Sequence, residues 1–196
     1  MELETEMILH PFSVHLDPVS GIMDDADNHI ERYLSKVADI FYDKNAADGM
    51  LKENGDRLVY EVYEKKIPQR SGELQFCSSI THPGKIGDEY FMTKGHFHVR
   101  RDRAEIYFGI RGSGMILMEK ENGEHAEETL SPGSVVYVPG YFAHRSVNTG
   151  AEPFIFLAVY PGDSGHDYGA IEVNGFNRIV VLKNGRPEII EKKNLG

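Results

Sequence analysis

The amino-acid sequence predicts an all-β protein, a sandwich, jelly roll or barrel with one helix packed outside it. Three observations carry that expectation. From about Leu58 onward the chain breaks into short runs rich in Val, Ile, Tyr and Phe. Those runs are separated at intervals by Gly, Pro, Asn and Asp, and helical periodicity is confined to one stretch near the N-terminus. Residues 1–55 are therefore read as a helical N-terminal extension and residues 56–191 as a barrel, together one domain over residues 1–196.

In the N-terminal stretch Ile30, Tyr33, Leu34, Val37, Ile40 and Phe41 recur at three- and four-residue steps. They follow the cap candidates Asp24, Asp27 and Asn28, and His29, Glu31, Arg32 and Lys36 make the polar side. Strands are expected at 58–64, 73–81, 93–99, 105–110, 115–120, 124–130, 134–139, 145–148, 153–160, 178–183 and 187–191. Asn122-Gly123 and Asn184-Gly185 suit type I′ hairpins, and Gly112-Ser113-Gly114 and Ser131-Pro132-Gly133 supply two more reversals. Strands beyond a minimal barrel leave open edges, so a homodimer is expected.

Composition narrows the function classes. The net charge of −10, from 21 Lys+Arg against 31 Asp+Glu, argues against a nucleic-acid partner. The longest apolar run, 154–160, falls far short of the ~20 residues a membrane span needs, so no membrane partner is expected. Residues 1–6 are acidic where a secretory signal would be basic and then apolar, and the single Cys77 can form no intrachain disulfide. Both point to the cytoplasm.

The chemistry begins at Thr93-Lys94-Gly95-His96-Phe97-His98, where two histidines two residues apart aim to one face of an extended segment. Glu105 lies seven positions beyond His98, on the wrong face of a single strand, but Arg100-Arg101-Asp102-Arg103 reads as a solvated polar turn. Glu105 then opens the returning strand beside the histidines, with Tyr107 on its side and Ile106, Phe108 and Ile110 on the other. A second unit runs from Gly133 through Pro139-Gly140 to His144. Three imidazoles and one carboxylate form a borderline-hard donor set, suited to Fe²⁺, Mn²⁺, Ni²⁺ or Zn²⁺ rather than Ca²⁺.

Gly95-His96-x-His98, then Glu105, then Gly133-x5-Pro139…His144-x3-Asn148 resembles the paired motifs of the cupin superfamily. That resemblance implies a double-stranded β-helix, a single cupin domain with the metal inside the barrel. Six residues separate His98 from Glu105 where the commoner pattern has three or four, and Pro139-Gly140 stands in place of Pro-x-Gly. The longer spacing is that of one branch. The stretch 83–98, Glu105-Ile106-Tyr107, Gly112-x-Gly114, the run 144–150 and the run 160–168 are similar to the cupin-type glucose-6-phosphate isomerases found mainly in archaea.

The resemblance implies interconversion of glucose 6-phosphate and fructose 6-phosphate, with a sugar phosphate as partner. It implies His96, His98, Glu105 and His144 as ligands of one divalent ion per subunit, Fe²⁺ favoured, and Glu105, Tyr107 and His166 as the catalytic groups. Thr93, Gly95 and Ser79 match donors to the phosphate, and Tyr60, Tyr160 and Tyr168 line the sugar pocket. An iron-dependent cupin dioxygenase and a non-enzymatic sugar-binding cupin module are the alternatives on the ligand set alone. Gly162-Asp163-Ser164-Gly165 is set aside as a protease loop, because His166 follows it, and Gly109-x-x-Gly112-x-Gly114 as a dinucleotide fingerprint, because strand residues flank it on both sides.

Overall fold

The computed structural model describes residues 9–194, so the acidic start read at residues 1–6 lies outside the described residues. In chain order the elements are β1 (Asn28–Tyr33), α1 (Leu34–Val37), α2 (Lys44–Asn54), β2 (Leu58–Glu64), β3 (Leu74–Thr81), β4 (Lys85–Ile86), β5 (Glu89–Tyr90), β6 (Glu105–Arg111), β7 (Gly114–Glu119), β8 (His125–Leu130), β9 (Val135–Val138), β10 (Ala143–Asn148), β11 (Phe154–Pro161), α3 (Gly169–Asn174), β12 (Arg178–Lys183) and β13 (Arg186–Glu191). The strands make a six-stranded sheet in the order β1-β2-β3-β11-β6-β9, a three-stranded sheet β10-β7-β8 and a four-stranded sheet β13-β12-β5-β4. The all-β expectation holds.

Two cores explain the sequence patterns. The inner one lies between the six- and three-stranded sheets, where Ile116, Met118, Leu130, Val136, Phe154 and Phe156 meet. The outer one lies on the far side of β7 and β10, where Leu117 and Val147 pack with Leu34, Phe41, Phe91, Phe176 and Val180. β7 reads Gly-Met-Ile-Leu-Met-Glu without polar alternation because both its faces are covered. β6 does alternate: Glu105 and Tyr107 turn inward while Ile106 and Phe108 face out. Phe154 is fully buried, and truncating such a side chain to Ala costs about 3–5 kcal/mol.

The N-terminal helix is where the structure departs from the expectation. Residues 28–33 form the edge strand β1, paired antiparallel with β2 through His29↔Tyr63, Ile30↔Val62, Glu31↔Glu61 and Arg32↔Tyr60. Helix begins only at Leu34, where Leu34 and Val37 are buried against the outer core. Cross-strand pairing with β2, distant in sequence, outweighs the helical period in which Ile30 and Tyr33 take part. α2 was hidden for the opposite reason: it is mostly polar and buries only Ala47, and its start is fixed by the Asp43 carboxylate accepting from the Ala46 N–H.

Two smaller departures concern the backbone. Residues 93–99 are not a regular strand but run beside β10 through isolated bridges, Met92 to Val147 and His96 to His144. Asn184-Gly185 takes the expected left-handed pair of conformations, φ 54° and 77°, whereas at Asn122-Gly123 only the glycine is left-handed. There the Gly123 N–H returns to the Lys120 carbonyl, a three-residue loop in place of a type I′ turn.

Candidate active site and metal centre

Gly95 sets the geometry of the first histidine pair. Its φ of +78° is left-handed, and a Cβ there would come within 2.7 Å of the Phe176 ring and 3.0 Å of Arg145 Cβ and the His144 carbonyl. Glycine therefore lets this segment press against β10. His96 and His144 then exchange both backbone hydrogen bonds, at 3.2 and 3.0 Å, and their ring centroids lie 4.6 Å apart. Phe97 turns into the outer core, leaving His96 and His98 on the opposite side.

The turn 100–103 returns the chain so that Glu105, the first residue of β6, faces the imidazoles. Its Oε2 is 3.1 Å from His98 Nε2 and 3.0 Å from His144 Nε2. One donor atom from each of His96, His98, Glu105 and His144 lies within 4.8 Å of every other. His98 Nδ1 is 3.0 Å from the Arg103 carbonyl and His144 Nδ1 is 3.2 Å from the Phe142 carbonyl. Each Nδ1–H therefore donates to a backbone oxygen, and each Nε2 lone pair is left pointing at the centre.

Those nitrogens test the fit of an ion. His96 Nε2 and His144 Nε2 are buried with no hydrogen-bond partner, the latter lying near Glu105 without hydrogen-bonding geometry. Leaving such groups unpaired costs about 1–3 kcal/mol each, and a divalent cation satisfies both together. The charge states agree. Burial, followed by the neighbouring His144 and His166, pushes His96 well below the usual imidazole range. Burial pushes Glu105 upward, but His144, His98 and His96 outweigh it and hold the carboxyl far below the usual carboxylate range. Neutral imidazole and ionised carboxylate are the ligating forms.

One pocket gathers the other expected residues. Tyr60 of β2, Ser79 of β3, Thr93, Gly95, Tyr107 of β6, Tyr160 of β11, His166 and Tyr168 all line it with His96, Glu105 and His144. His98 is buried and is not among the lining residues. Thr93 Oγ1 accepts the Ser146 N–H at 3.0 Å and lies 3.3 Å from Ser146 Oγ. Burial and then the Glu105 charge keep the Tyr107 phenol protonated, burial lowers His166, and burial pushes Tyr168 up to about 12.

The run 100–103 is more than a solvated turn. Arg103 grips Asp163 with two hydrogen bonds of 2.8 and 2.7 Å, and Arg101 reaches Asp167 at 2.7 Å. Arg103, opposed by slight burial, brings the Asp163 carboxyl down to about 2. Backbone exchange between Phe97 and Asp167 completes the clamp, and His166 is set with its ring 4.4 Å from that of His96. Sequence reading also missed Arg32, Arg145 and Ser146 in the pocket wall. Arg32 was obscured by the helix assignment, since only the alternation of a strand turns Ile30 and Arg32 to one side.

The model of the family described as Glucose-6-phosphate isomerase (GPI) matches residues 31–195. The glucose-6-phosphate isomerase of Thermococcus litoralis is 48% identical over 176 residues, 90% of this chain and 92% of its own. That of Pyrococcus horikoshii is 44% identical over 185 residues, 94% of this chain and 97% of its own. That of Sinorhizobium medicae is 39% identical over 178 residues, 91% and 83% respectively. A donor set fit for a metal, inside a pocket fit for a small polar substrate, thus sits in a chain that belongs to the glucose-6-phosphate isomerase family.

Proposed function

We propose that this chain is a metal-dependent aldose–ketose isomerase interconverting glucose 6-phosphate and fructose 6-phosphate. The observation that carries the reading is the convergence, in one pocket of a chain of this family, of a three-imidazole, one-carboxylate donor set with the uncharged donors of Thr93 and Gly95. In this reading His96, His98, Glu105 and His144 hold one divalent ion per subunit, Fe²⁺ by first choice and Mn²⁺, Ni²⁺ or Zn²⁺ as substitutes, which polarises the C1 and C2 oxygens.

Isomerisation moves one hydrogen between C1 and C2. Glu105, held ionised, accepts it as a proton in an enediol route and returns it to the adjacent carbon; in the rival hydride shift Glu105 is a ligand only. Tyr107, held protonated, and His166, held neutral, serve the protons on the O1 and O2 atoms. The Thr93 and Ser79 hydroxyls and the Gly95 N–H donate to phosphate oxygens, and Tyr60, Tyr160 and Tyr168 enclose the sugar. A coupled assay of fructose 6-phosphate conversion, before and after chelation and with metal restored, tests the reading. Activity indifferent to thorough chelation would overturn it.

The same proposal includes a homodimer working in the cytoplasm. Ile106, Phe108, Val135 and Tyr137 stand on the outer side of β6 and β9, 38, 42, 59 and 61% exposed, beside the free edge of β9. A second copy on that face would cover both. No described helix is long and apolar enough to cross a membrane. Sedimentation showing only a 22.1 kDa species at micromolar concentration would exclude the dimer.

A further inference from the structure

On the far side of the pocket wall, β1 and β2 carry a second group of metal-ligating side chains. Ile30 and Arg32 of β1 and Tyr60 and Val62 of β2 line the pocket. Strand alternation therefore turns His29, Glu31 and Glu61 to the opposite face. One donor atom from each of these three lies within 4.8 Å of the other two. Two donors at about 2 Å from one ion lie at most about 4 Å apart, so about an ångström of side-chain movement closes the set on a cation.

The arrangement is held as a metal centre's surroundings are held. Glu61 Oε2 faces His29 Nε2 at 2.8 Å, while its other oxygen, Oε1, is taken by His82 Nε2 at 2.8 Å. The His29 ring is stacked on Tyr63, with centroids 4.1 Å apart and planes 10° from parallel. His82 thus orients the carboxylate and Tyr63 orients the imidazole, the two functions that partners outside a ligand set perform. Glu31 and Glu61 are directly opposite in the register, where like charges repel; the Tyr33 and Tyr63 hydroxyls donate to one carboxylate each, at 3.2 and 3.3 Å, and a cation between the two would offset the charge those neutral donors leave.

We infer that His29, Glu31 and Glu61 form a surface site for a divalent transition metal of the zinc class, with His82 holding Glu61, that staples edge strand β1 to β2. One imidazole and two carboxylates leave positions for water, and the exposure of His29 and Glu31 gives the ion a path from solvent. The site shares no residue with the four-ligand centre in the barrel. Its consequence is mechanical: a bound ion fixes the strand whose inward side carries Ile30 and Arg32 into the pocket wall.

The test uses the full-length, metal-free chain titrated with Zn²⁺, with bound metal counted by equilibrium dialysis and elemental analysis. The wild type is expected to take up two ions per subunit. His29→Ala combined with Glu31→Gln should take up one and keep its kcat when loaded, because neither residue lines the pocket. His144→Ala, which disables the barrel centre, should keep one ion and gain thermal stability from it. His82→Gln should weaken the outer ion 10- to 100-fold, the usual cost of losing such a partner. A wild type that binds one ion, a double variant that still binds two, or a His144→Ala chain that neither binds nor is stabilised by zinc would each overturn the inference.

Discussion

Replacing Thr93 by Ala probes two interactions that the structure couples in one oxygen. Thr93 Oγ1 accepts the Ser146 backbone N–H at 3.0 Å, which leaves its own proton to donate into the pocket. Losing a donor to a charged phosphate oxygen costs about 1.5–3 kcal/mol, roughly 10- to 150-fold in kcat/KM for fructose 6-phosphate. Ser146 is buried, so the substitution also leaves its N–H without that acceptor, about 1–3 kcal/mol of stability. In a chain of this size that corresponds to a fall of roughly 2–12 °C in Tm. Thr93→Ser keeps the oxygen and should recover most of both losses. The assay compares fructose 6-phosphate with fructose, since a phosphate contact matters only to the former, and a thermal melt follows the structural part. Equal losses for the two sugars, or a Thr93→Ser chain as impaired as Thr93→Ala, would refute the assignment of Thr93 to the phosphate.

Three further outcomes are expected. His98→Ala should lose bound metal by elemental analysis, because its Nε2 is one of the nitrogens directed at Glu105; full metal content would remove His98 from the ligand set. In the metal-free chain, the folded state resists protonating His96 and Glu105 while the unfolded chain takes protons at 6.5 and 4.5, so stability present at neutral pH should fall as pH drops through those values. The slope is at most about 1.4 kcal/mol per pH unit for each group, and His96→Gln should flatten the upper part of a melting-temperature profile. Arg32 lines the pocket, so Arg32→Ala should raise KM for fructose 6-phosphate about fivefold, in line with about 1 kcal/mol for a solvent-reached cation, and leave kcat unchanged; an unaltered KM would show that Arg32 takes no part in binding the substrate.

How much could be read before the structure depended on whether a residue's role was local. The barrel strands were legible because covalent alternation and turn chemistry mark them: β2 and β12 fall at the expected residues, and most others within one or two. The four candidate metal-binding residues were legible because His96 and His98 share a face, Glu105 needs only a turn to meet them and the family resemblance adds His144, and the geometry brings all four donor atoms together. The edge strand was not, because Ile30, Tyr33, Leu34 and Val37 satisfy a helical period, and only the partner β2, distant in sequence, decides for a strand. Ser146 and Arg145 were equally hidden. Each acts through the 92–95 segment lying beside β10: Ser146 through Thr93, and Arg145 through the Lys94 carbonyl at 2.7 Å.

Arg145 shows how the two cores meet at the site. It is almost fully buried with its Nε unpartnered, and burial lowers its pKa to about 10, so it still carries its charge. On the outer side the guanidinium lies 4.1 Å over the Phe176 ring; from there it holds the Lys94 carbonyl and the Met92 sulfur. The same Phe176 ring is what a side chain at position 95 would strike. Phe176, Arg145 and Gly95 therefore form one packed column that presses the 93–96 backbone against β10. The position of the Gly95 N–H and of His96 is thereby set from the outer core, while Glu105 and His98 are set from the turn 100–103 and its arginine clamp. A pocket wall fixed from two independent directions can hold four donor atoms close together even where His96 Nε2 and His144 Nε2 have no hydrogen-bond partner.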